Sequence, residues 1–210
     1  MYADLSLRPG DTEGALELVR AAARMGYRLL GIEDSGGIDR ERVREESARH
    51  GAKVVWRRTI TAGDRETLAA EARRGRGRLL VAEPLSLEAA RYAATSKAFH
   101  VLRIRPGEER VVDKSTLRLF KDRGWGAIEL SLRHLLDGWG AREWRYYSVS
   151  LRRAHAYNIE AILVSDATEP LELWHPYTVI GIAVAAGLPI QYSRRLITST
   201  PQRVVSAAKR

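Results

Sequence analysis

Short β-rich apolar runs alternate with helical patterns along the whole chain, and this alternation restricts the fold more than any other feature. Repeated βα units of this kind build a parallel sheet covered by helices. Runs such as Leu79 to Ala82 and Ala161 to Val164 are continuously apolar, as expected when both faces of a strand are buried. We predict eight strands, near residues 2–7, 27–33, 53–59, 78–83, 98–105, 126–132, 160–165 and 189–192.

Eight strands, each followed by a helix, predict one α/β domain over residues 1–210 with a (β/α)8 TIM-barrel-like fold. The hydrophobic content of 45% is enough for a full core. Asp11 is a predicted helix N-cap, and two later helices are predicted to begin at Ser86 and at Pro176. Because about 250 residues is more usual for this fold, some of the helices must be short.

The charge balance favours a polyanionic partner. The chain has a formal net charge of +9, and only 5 of its 35 basic residues are lysines. The planar guanidinium matches phosphate oxygens, so arginine excess favours nucleic acid over a membrane surface. With no cysteine, disulfides and thiolate metal sites are excluded, and we expect a cytoplasmic protein. The N-terminus lacks a signal-peptide pattern, and the longest apolar stretch, residues 179–190, is too short to span a bilayer.

Arginines follow several predicted strands, at the positions where α/β barrels carry their function. Gathered at one mouth, such guanidinium groups would form a phosphate-binding surface. Together with basic residues of neighbouring helices and loops, they form the predicted RNA contacts: Arg57, Arg58, Arg91, Arg103, Arg105, Lys114, Lys121, Arg133, Arg194 and Arg195.

A metal-dependent phosphoesterase is the enzymatic alternative. In the polymerase and histidinol phosphatase superfamily of barrels, the first strand supplies metal-binding histidines where this chain has Ser6 and Arg8. A guanidinium repels cations, so this strand argues against a di- or trinuclear metal site. A rearranged site would have to be built from the acids near the strand ends, which are Asp4, Glu33, Glu83 and Asp166.

A third hypothesis is a scaffold that binds only proteins. The predicted helix from Trp144 to Tyr157 carries aromatic side chains, which are enriched at protein interfaces. Trp125 and Trp139 precede this helix, and together with it they would form an aromatic docking surface. Failure to bind any RNA at low salt would favour this hypothesis.

Several segments together resemble the archaeal ribonuclease P protein component 3 family, also called the p30 family. They are residues 126–136, residues 162–167, the His175-Pro176 helix start and the run Gly187-Leu188-Pro189, with Arg91-Tyr92 and Asp4-Leu5 in addition. The resemblance implies a barrel of the polymerase and histidinol phosphatase type that has lost its metal site. This agrees with Ser6 and Arg8 on the first strand.

The resemblance also implies a function, as a subunit of the endoribonuclease that cleaves precursor tRNA to give the mature 5′ end. Catalysis would belong to an RNA with bound Mg²⁺, so this chain would hold no cofactor and no catalytic residue. The implied partners are ribonuclease P RNA, precursor tRNA indirectly, protein component 2 in a two-plus-two assembly, and other ribonuclease P proteins. The family's basic residues match Arg91, Arg133 and Arg194 by position. An arginine often found before the helix-starting proline is replaced by Trp174-His175, and we expect Arg194 or Arg195 to compensate.

Overall fold

The computed structural model describes residues 1–34, 36–105, 112–136, 138 and 140–208. Within these residues, seven parallel strands follow one another in chain order around a nearly closed barrel. The predicted α/β barrel fold is therefore confirmed. The strands are β1 (Tyr2–Leu7), β2 (Tyr27–Glu33), β3 (Lys53–Ala62), β4 (Leu79–Pro84), β5 (Val101–Arg103), β6 (Ala127–Ser131) and β7 (Ala161–Val164).

Helices cover the outside of the barrel and close one of its ends. In the described ranges, none of them combines the length and the apolar character needed to cross a membrane. They are α1 (Thr12–Arg24), α2 (Arg40–Arg49), α3 (Arg65–Arg74), α4 (Leu87–Thr95), α5 (Lys114–Asp122), α6 (Ala141–Ala156), α7 (Pro176–Ala185), α8 (Ile190–Arg195) and α9 (Ser199–Ala208), with short 3-10 helices at Arg133–Leu135 and Pro170–Glu172.

Aspartate or serine side chains cap the starts of five of these helices. Asp11, Asp39, Asp64, Ser86 and Asp113 each accept hydrogen bonds from backbone N–H groups of the first helical turn. Such caps satisfy donors that have no partner within the helix itself. The predicted cap of α1 is confirmed, and Ser86, the predicted start of the fourth helix, is the N-cap of α4.

The predicted eighth strand is wrong, because residues 190–195 form helix α8. Pro189 stands at its N-cap position, and the Tyr192 hydroxyl donates to the Ile159 carbonyl oxygen at 3.0 Å. A short apolar run does not by itself distinguish a strand from a buried helix. The barrel therefore contains seven strands within the part of the chain that the structure describes.

The seam between β1 and β7 is closed by a few backbone contacts in place of an eighth strand. Leu7 forms a parallel bridge with Ala167, and the Arg8 N–H donates to the Ala167 carbonyl oxygen at 2.8 Å. At the other end of β1, the Ala3 N–H donates to the Ile197 carbonyl oxygen at 2.8 Å. These bonds satisfy part of the edge that a missing strand would otherwise leave open.

The half of the barrel interior near the amino ends of the strands is apolar. Leu29, Leu79, Val101 and Ile162 point into it and pack with Val204 of α9. Helix α9 therefore closes this end of the barrel. The opposite end, at the carboxyl ends of the strands, is the one that remains open, and it is called the mouth below.

Candidate nucleic-acid interface

The half of the barrel interior that lies nearer the mouth carries buried charges. Arg57 of β3 faces Glu129 of β6, and neither side chain is exposed. Arg57 Nη1 donates to Glu129 Oε2 at 2.9 Å, and Nη2 donates to Oε1 at 3.0 Å. Arg57 Nη1 also donates to the Leu5 carbonyl oxygen at 2.6 Å, and Glu33 Oε2 lies 3.2 Å from Arg57 Nε. Burial alone would lower the pKa of Arg57, but Glu129 and Glu33 raise it, so the guanidinium stays charged.

Arg103 of β5 joins this pair to the loop after β7. Its Nε donates to Glu129 Oε1 at 2.6 Å, and its Nη1 and Nη2 donate to the two carboxylate oxygens of Asp166 at 2.8 and 2.7 Å. The Ser6 hydroxyl donates to Asp166 as well. Burial would raise the pKa of Asp166, but the Arg103 guanidinium holds it well below its ordinary value. Glu129 therefore bridges two buried arginines, and Asp166 is ionised beside one of them.

The prediction that Arg57 and Arg103 contact RNA needs correction. Arg57 is completely buried and Arg103 is 5% exposed, and their guanidinium groups are occupied by Glu129 and Asp166. A phosphate would have to displace buried carboxylates to reach them. These two arginines therefore stabilise the interior of the barrel, and they are removed from the predicted RNA contacts.

The four acids of the phosphoesterase alternative do not converge on a common open position. Glu33 accepts from Thr59, Glu83 accepts from Thr61 and pairs with Arg105, and Asp166 is held by Arg103. Within the described ranges, no three His, Asp or Glu side chains are grouped so that they could hold a metal ion. Guanidinium groups stand where a shared cation would have to bind, which argues against this alternative.

Asp4 lies at the seam between β1 and β7 and has no cationic partner among the described residues. Its carboxylate accepts from the Ser6 N–H at 3.1 Å and from the Ser165 N–H at 3.2 Å. Burial raises the pKa of Asp4 to about 6, because the charged form loses its hydration and these hydrogen bonds compensate only in part. The ionised form of Asp4 is therefore less stable in the folded state than in the unfolded state.

Asp4→Asn is expected to stabilise the protein in a pH-dependent way. Since the folded pKa lies above the unfolded one, the folded state binds more protons between pH 4 and 6, and wild-type stability falls as pH rises through this window. Asparagine keeps an acceptor oxygen and carries no charge. At pH 8 we expect its free energy of unfolding to exceed that of the wild type by about 3 kcal/mol. Urea titrations at pH 4 and pH 8 measure this, and an equal difference at both values would contradict it.

A cavity of about 380 Å³ at the mouth is lined mainly by basic side chains, together with Glu83 and Asp166. Arg8 follows β1, Arg105 lies beyond β5, and Arg133 and His134 follow β6. Arg8 is exposed, Arg105 is 43% exposed and Arg133 is 31% exposed. Besides the buried Arg103, the cavity thus brings three more exposed guanidinium groups from different strands to one opening, as expected for a phosphate-binding surface.

Arg105 keeps donors available to a ligand, and Arg133 is positioned by its neighbours. Arg105 pairs with Glu83 through Nε, at 3.0 Å, which leaves its outer amino groups for other acceptors. Arg133 is oriented by Glu172 and by the Thr168 hydroxyl, at 3.3 Å. Arg105 and Arg133 were expected at the mouth, whereas Arg8 was considered only as a residue unable to bind metal. Its position directly after the first strand was the signal that it belongs to the mouth.

Arg58, Arg91 and Lys114 lie on the outer wall of the barrel instead of the mouth. Arg58 pairs with Glu71 of α3. Arg91 of α4 lies 3.7 Å from Asp113, the residue that caps α5, and Lys114 is the first residue of α5. The last two are exposed and adjacent, so they form a separate basic position on the flank of the molecule.

Lys121, Arg194 and Arg195 lie towards the end of the barrel that α9 closes. Arg195 Nη2 donates at 3.1 Å to Glu160, the residue just before β7, and its guanidinium stacks over Tyr192. Lys121 lines a cavity that also contains Glu160. Arg194 and Arg195 were expected at the mouth only because α8 was predicted to be a strand. The ten predicted contacts therefore do not form one cluster.

The aromatic helix of the scaffold hypothesis is mostly core. Tyr146 and Tyr147 are buried, and Trp144 and Tyr157 pack partly against the main hydrophobic cluster. Trp139 lies outside the described residues. His175, of the Trp174-His175 pair, caps α7 by accepting from the Tyr177 N–H at 3.3 Å. We find no aromatic docking surface among the described residues of α6.

Comparison with known proteins identifies the family. The sequence model of the protein family described as RNase P subunit p30 matches residues 1–210 of this chain. Ribonuclease P protein component 3 of Aeropyrum pernix is 36% identical over 205 residues, which cover 96% of this chain and 94% of that protein.

Solved structures share the fold. One chain of the cryo-EM structure of archaeal Ribonuclease P with mature tRNA has a TM-score of 0.80 at 16% identity, covering 97% of this chain and 90% of that chain. The crystal structure of an uncharacterized protein has a TM-score of 0.62 at 11% identity, covering 98% of this chain and 74% of that chain. The family resemblance of the sequence is confirmed. The chain belongs to the RNase P subunit p30 family, whose members are protein subunits of ribonuclease P.

Proposed function

We propose that this chain supports the catalytic RNA of ribonuclease P by holding RNA phosphates at the mouth of its barrel. The observation that carries the proposal is the convergence of Arg8, Arg105 and Arg133 on one cavity, while the buried acids beneath it are neutralised by Arg57 and Arg103. A basic surface over an internally paired charge network suits phosphate binding better than hydrolysis by the chain itself.

Cleavage of precursor tRNA then belongs to the RNA and its Mg²⁺, and this chain contributes no catalytic side chain of its own. Family membership and the fold shared with a chain of an archaeal ribonuclease P assembly support this division of labour. The same membership supports pairing with protein component 2, and contact with precursor tRNA through the RNA, in a cytoplasmic assembly. Arg91 and Lys114 on the flank are proposed as further RNA contacts, and Arg194 and Lys121 as contacts of the opposite end.

The salt dependence of RNA binding tests the role of the mouth. Each phosphate contact that is lost lowers the slope of log affinity against log salt by about one unit. We expect Arg8→Ala/Arg105→Ala to lower the slope for ribonuclease P RNA by about two units, measured by filter binding across a salt series. Arg133 is left intact in this variant because it also anchors Glu172.

A matched control removes the same charge elsewhere. Arg42→Ala/Arg44→Ala alters two exposed arginines of α2, which pair with Glu13 and Glu41 on the surface. This control should keep the wild-type slope. Equal slopes for the mouth variant and the wild type would refute the assignment of phosphate contacts to the mouth.

A further inference from the structure

A second cavity, of about 420 Å³, lies between α3 and α4, over the starts of β4 and β5. It is therefore at the end of the barrel opposite the mouth. Ala72 and Leu80 form a buried apolar floor, Tyr92 contributes an aromatic ring, and Arg73 and Arg76 lie at the exposed rim. An apolar cavity of this size with a few polar groups is typical of a small-molecule or nucleobase site.

The rim is formed by the run Arg73-Arg74-Gly75-Arg76-Gly77-Arg78, whose backbone path requires its two glycines. A Cβ atom on Gly75 would lie 2.5 Å from Leu80 Cδ2, and Gly77 has a left-handed φ of +81°. The first glycine allows the end of α3 to approach β4, and the second allows the reversal that follows. This arginine-rich turn is therefore a defined structure.

The four arginines of the turn divide into two anchored and two available ones. Arg74 Nη1 donates to Glu71 at 2.5 Å, and Arg78 pairs with Asp34. Arg73 and Arg76 are exposed, and no carboxylate of the described residues pairs with either of them. Two guanidinium groups beside one cavity therefore have donors free for an anion.

His100 provides an oriented donor at the same cavity. Its ring Nδ1 accepts from the Leu80 N–H at 2.9 Å, and the backbone N–H of His100 donates to the Leu80 carbonyl oxygen at 2.9 Å. Burial lowers the pKa of His100 to about 4, so the ring is neutral at pH 7. Because Nδ1 is the acceptor, the proton lies on Nε2, which has no hydrogen-bond partner among the described residues.

We propose that this cavity is a nucleotide-binding site, with the phosphate on Arg73 and Arg76 and the base against Tyr92 and Leu80. His100 Nε2 would donate to an acceptor of the base. Unstacked nucleotides are recognised in this way, by an apolar or aromatic surface for the base and guanidinium forks for the phosphate. An unpaired nucleotide of an RNA strand and a free nucleotide share this chemistry. The site is separate from the mouth and does not depend on the function proposed for it.

Nuclear magnetic resonance of the full chain, labelled with ¹⁵N in histidine, tests the site directly. The probes are AMP and a short single-stranded oligoadenylate, and the His100 signals are assigned by their loss in His100→Asn, whose side-chain oxygen retains an acceptor for the Leu80 N–H. We expect the His100 Nε2 signal to shift on titration. A shift with both probes indicates a site for a free nucleotide, whereas a shift with the oligonucleotide alone indicates a site for an RNA strand.

Affinity measurements with variants complete the test. Arg73→Ala/Arg76→Ala should weaken binding of the shifting probe about tenfold, because two charged hydrogen-bond donors are lost. The control Arg42→Ala/Arg44→Ala and the mouth variant Arg8→Ala/Arg105→Ala should leave the His100 shift unchanged. The result for this cavity is therefore independent of whether the mouth binds phosphates. An unmoved His100 signal with both probes would overturn the proposal. Displacement of the nucleotide by polyglutamate, at an equal concentration of charge, would also overturn the proposal. Polyglutamate carries no base, so such displacement would mean that the cavity binds anions without recognising a nucleotide.

Discussion

Replacing Glu129 by glutamine is expected to cost about 3–5 kcal/mol of unfolding free energy, the largest loss we predict for a single charge in this protein. Glu129 is completely buried and accepts hydrogen bonds from both Arg57 and Arg103. Glutamine keeps the volume and one acceptor oxygen, so the loss measures the missing charge between two buried guanidinium groups and not a cavity. Since small domains are stable by about 5–15 kcal/mol, much of the total would be lost.

Urea denaturation followed by circular dichroism measures this loss. Glu45→Gln is the matched control, because Glu45 is exposed and lies 3.8 Å from Arg49 on the surface of α2. Exposed pairs of this kind contribute little, so the control should stay within about 0.5 kcal/mol of the wild type. A loss below about 1 kcal/mol for Glu129→Gln would mean that the buried charge network does not hold the barrel interior together.

Gly31→Ala should also destabilise the protein strongly, by about 3 kcal/mol. Gly31 lies inside the barrel on β2, and a Cβ atom there would be 2.2 Å from the carbonyl oxygen of Leu5 on β1. That oxygen is also an acceptor for Arg57. The added methyl group cannot be accommodated by rotation of a side chain, so β1 would have to move away from β2 and from the guanidinium.

Gly181→Ala is the informative comparison. Gly181 lies within α7, is exposed, and would place a Cβ atom with nothing else within 4 Å. There the same substitution should stabilise the protein by roughly 0.5–1 kcal/mol, because alanine favours the helix and restricts the unfolded chain. Thermal unfolding of both variants checks the pair. Destabilisation of similar size in both would contradict the close approach of β1 and β2 at Gly31.

The alternation of apolar runs and helical patterns was enough to predict seven of the strands, with β1 and β2 at their observed bounds. It was not enough to distinguish the eighth run from a helix, because Pro189 to Tyr192 is short and lacks a clear period. This error changed the predicted site. Because α8 is a helix, Arg194 and Arg195 lie at the end of the barrel that α9 closes and not at the mouth, where they were predicted.

The depth of the side chains explains the other correction at the site. Arg57 lies within the predicted strand, and β3 continues beyond it to Ala62, so the Arg57 side chain points into the barrel below the mouth. Sequence periodicity identifies side chains on the same face of a strand, but the depth of each one depends on register against its neighbours. The pairing of Arg57 and Arg103 with Glu129 is such a long-range property. Arg105 and Arg133 lie beyond the ends of shorter strands, and their prediction at the mouth agrees with the structure.

Cleavage of precursor tRNA by reconstituted ribonuclease P at limiting Mg²⁺ is the most direct test of the mouth as the RNA-holding surface. With the catalytic RNA and its companion proteins, Arg8→Ala/Arg105→Ala should slow cleavage roughly tenfold relative to the unaltered chain, and high Mg²⁺ should restore the rate by neutralising the same phosphates. Arg42→Ala/Arg44→Ala should cleave at the normal rate throughout. Unchanged cleavage with the mouth variant at limiting Mg²⁺, or an equal defect in the control, would contradict the role of the mouth arginines.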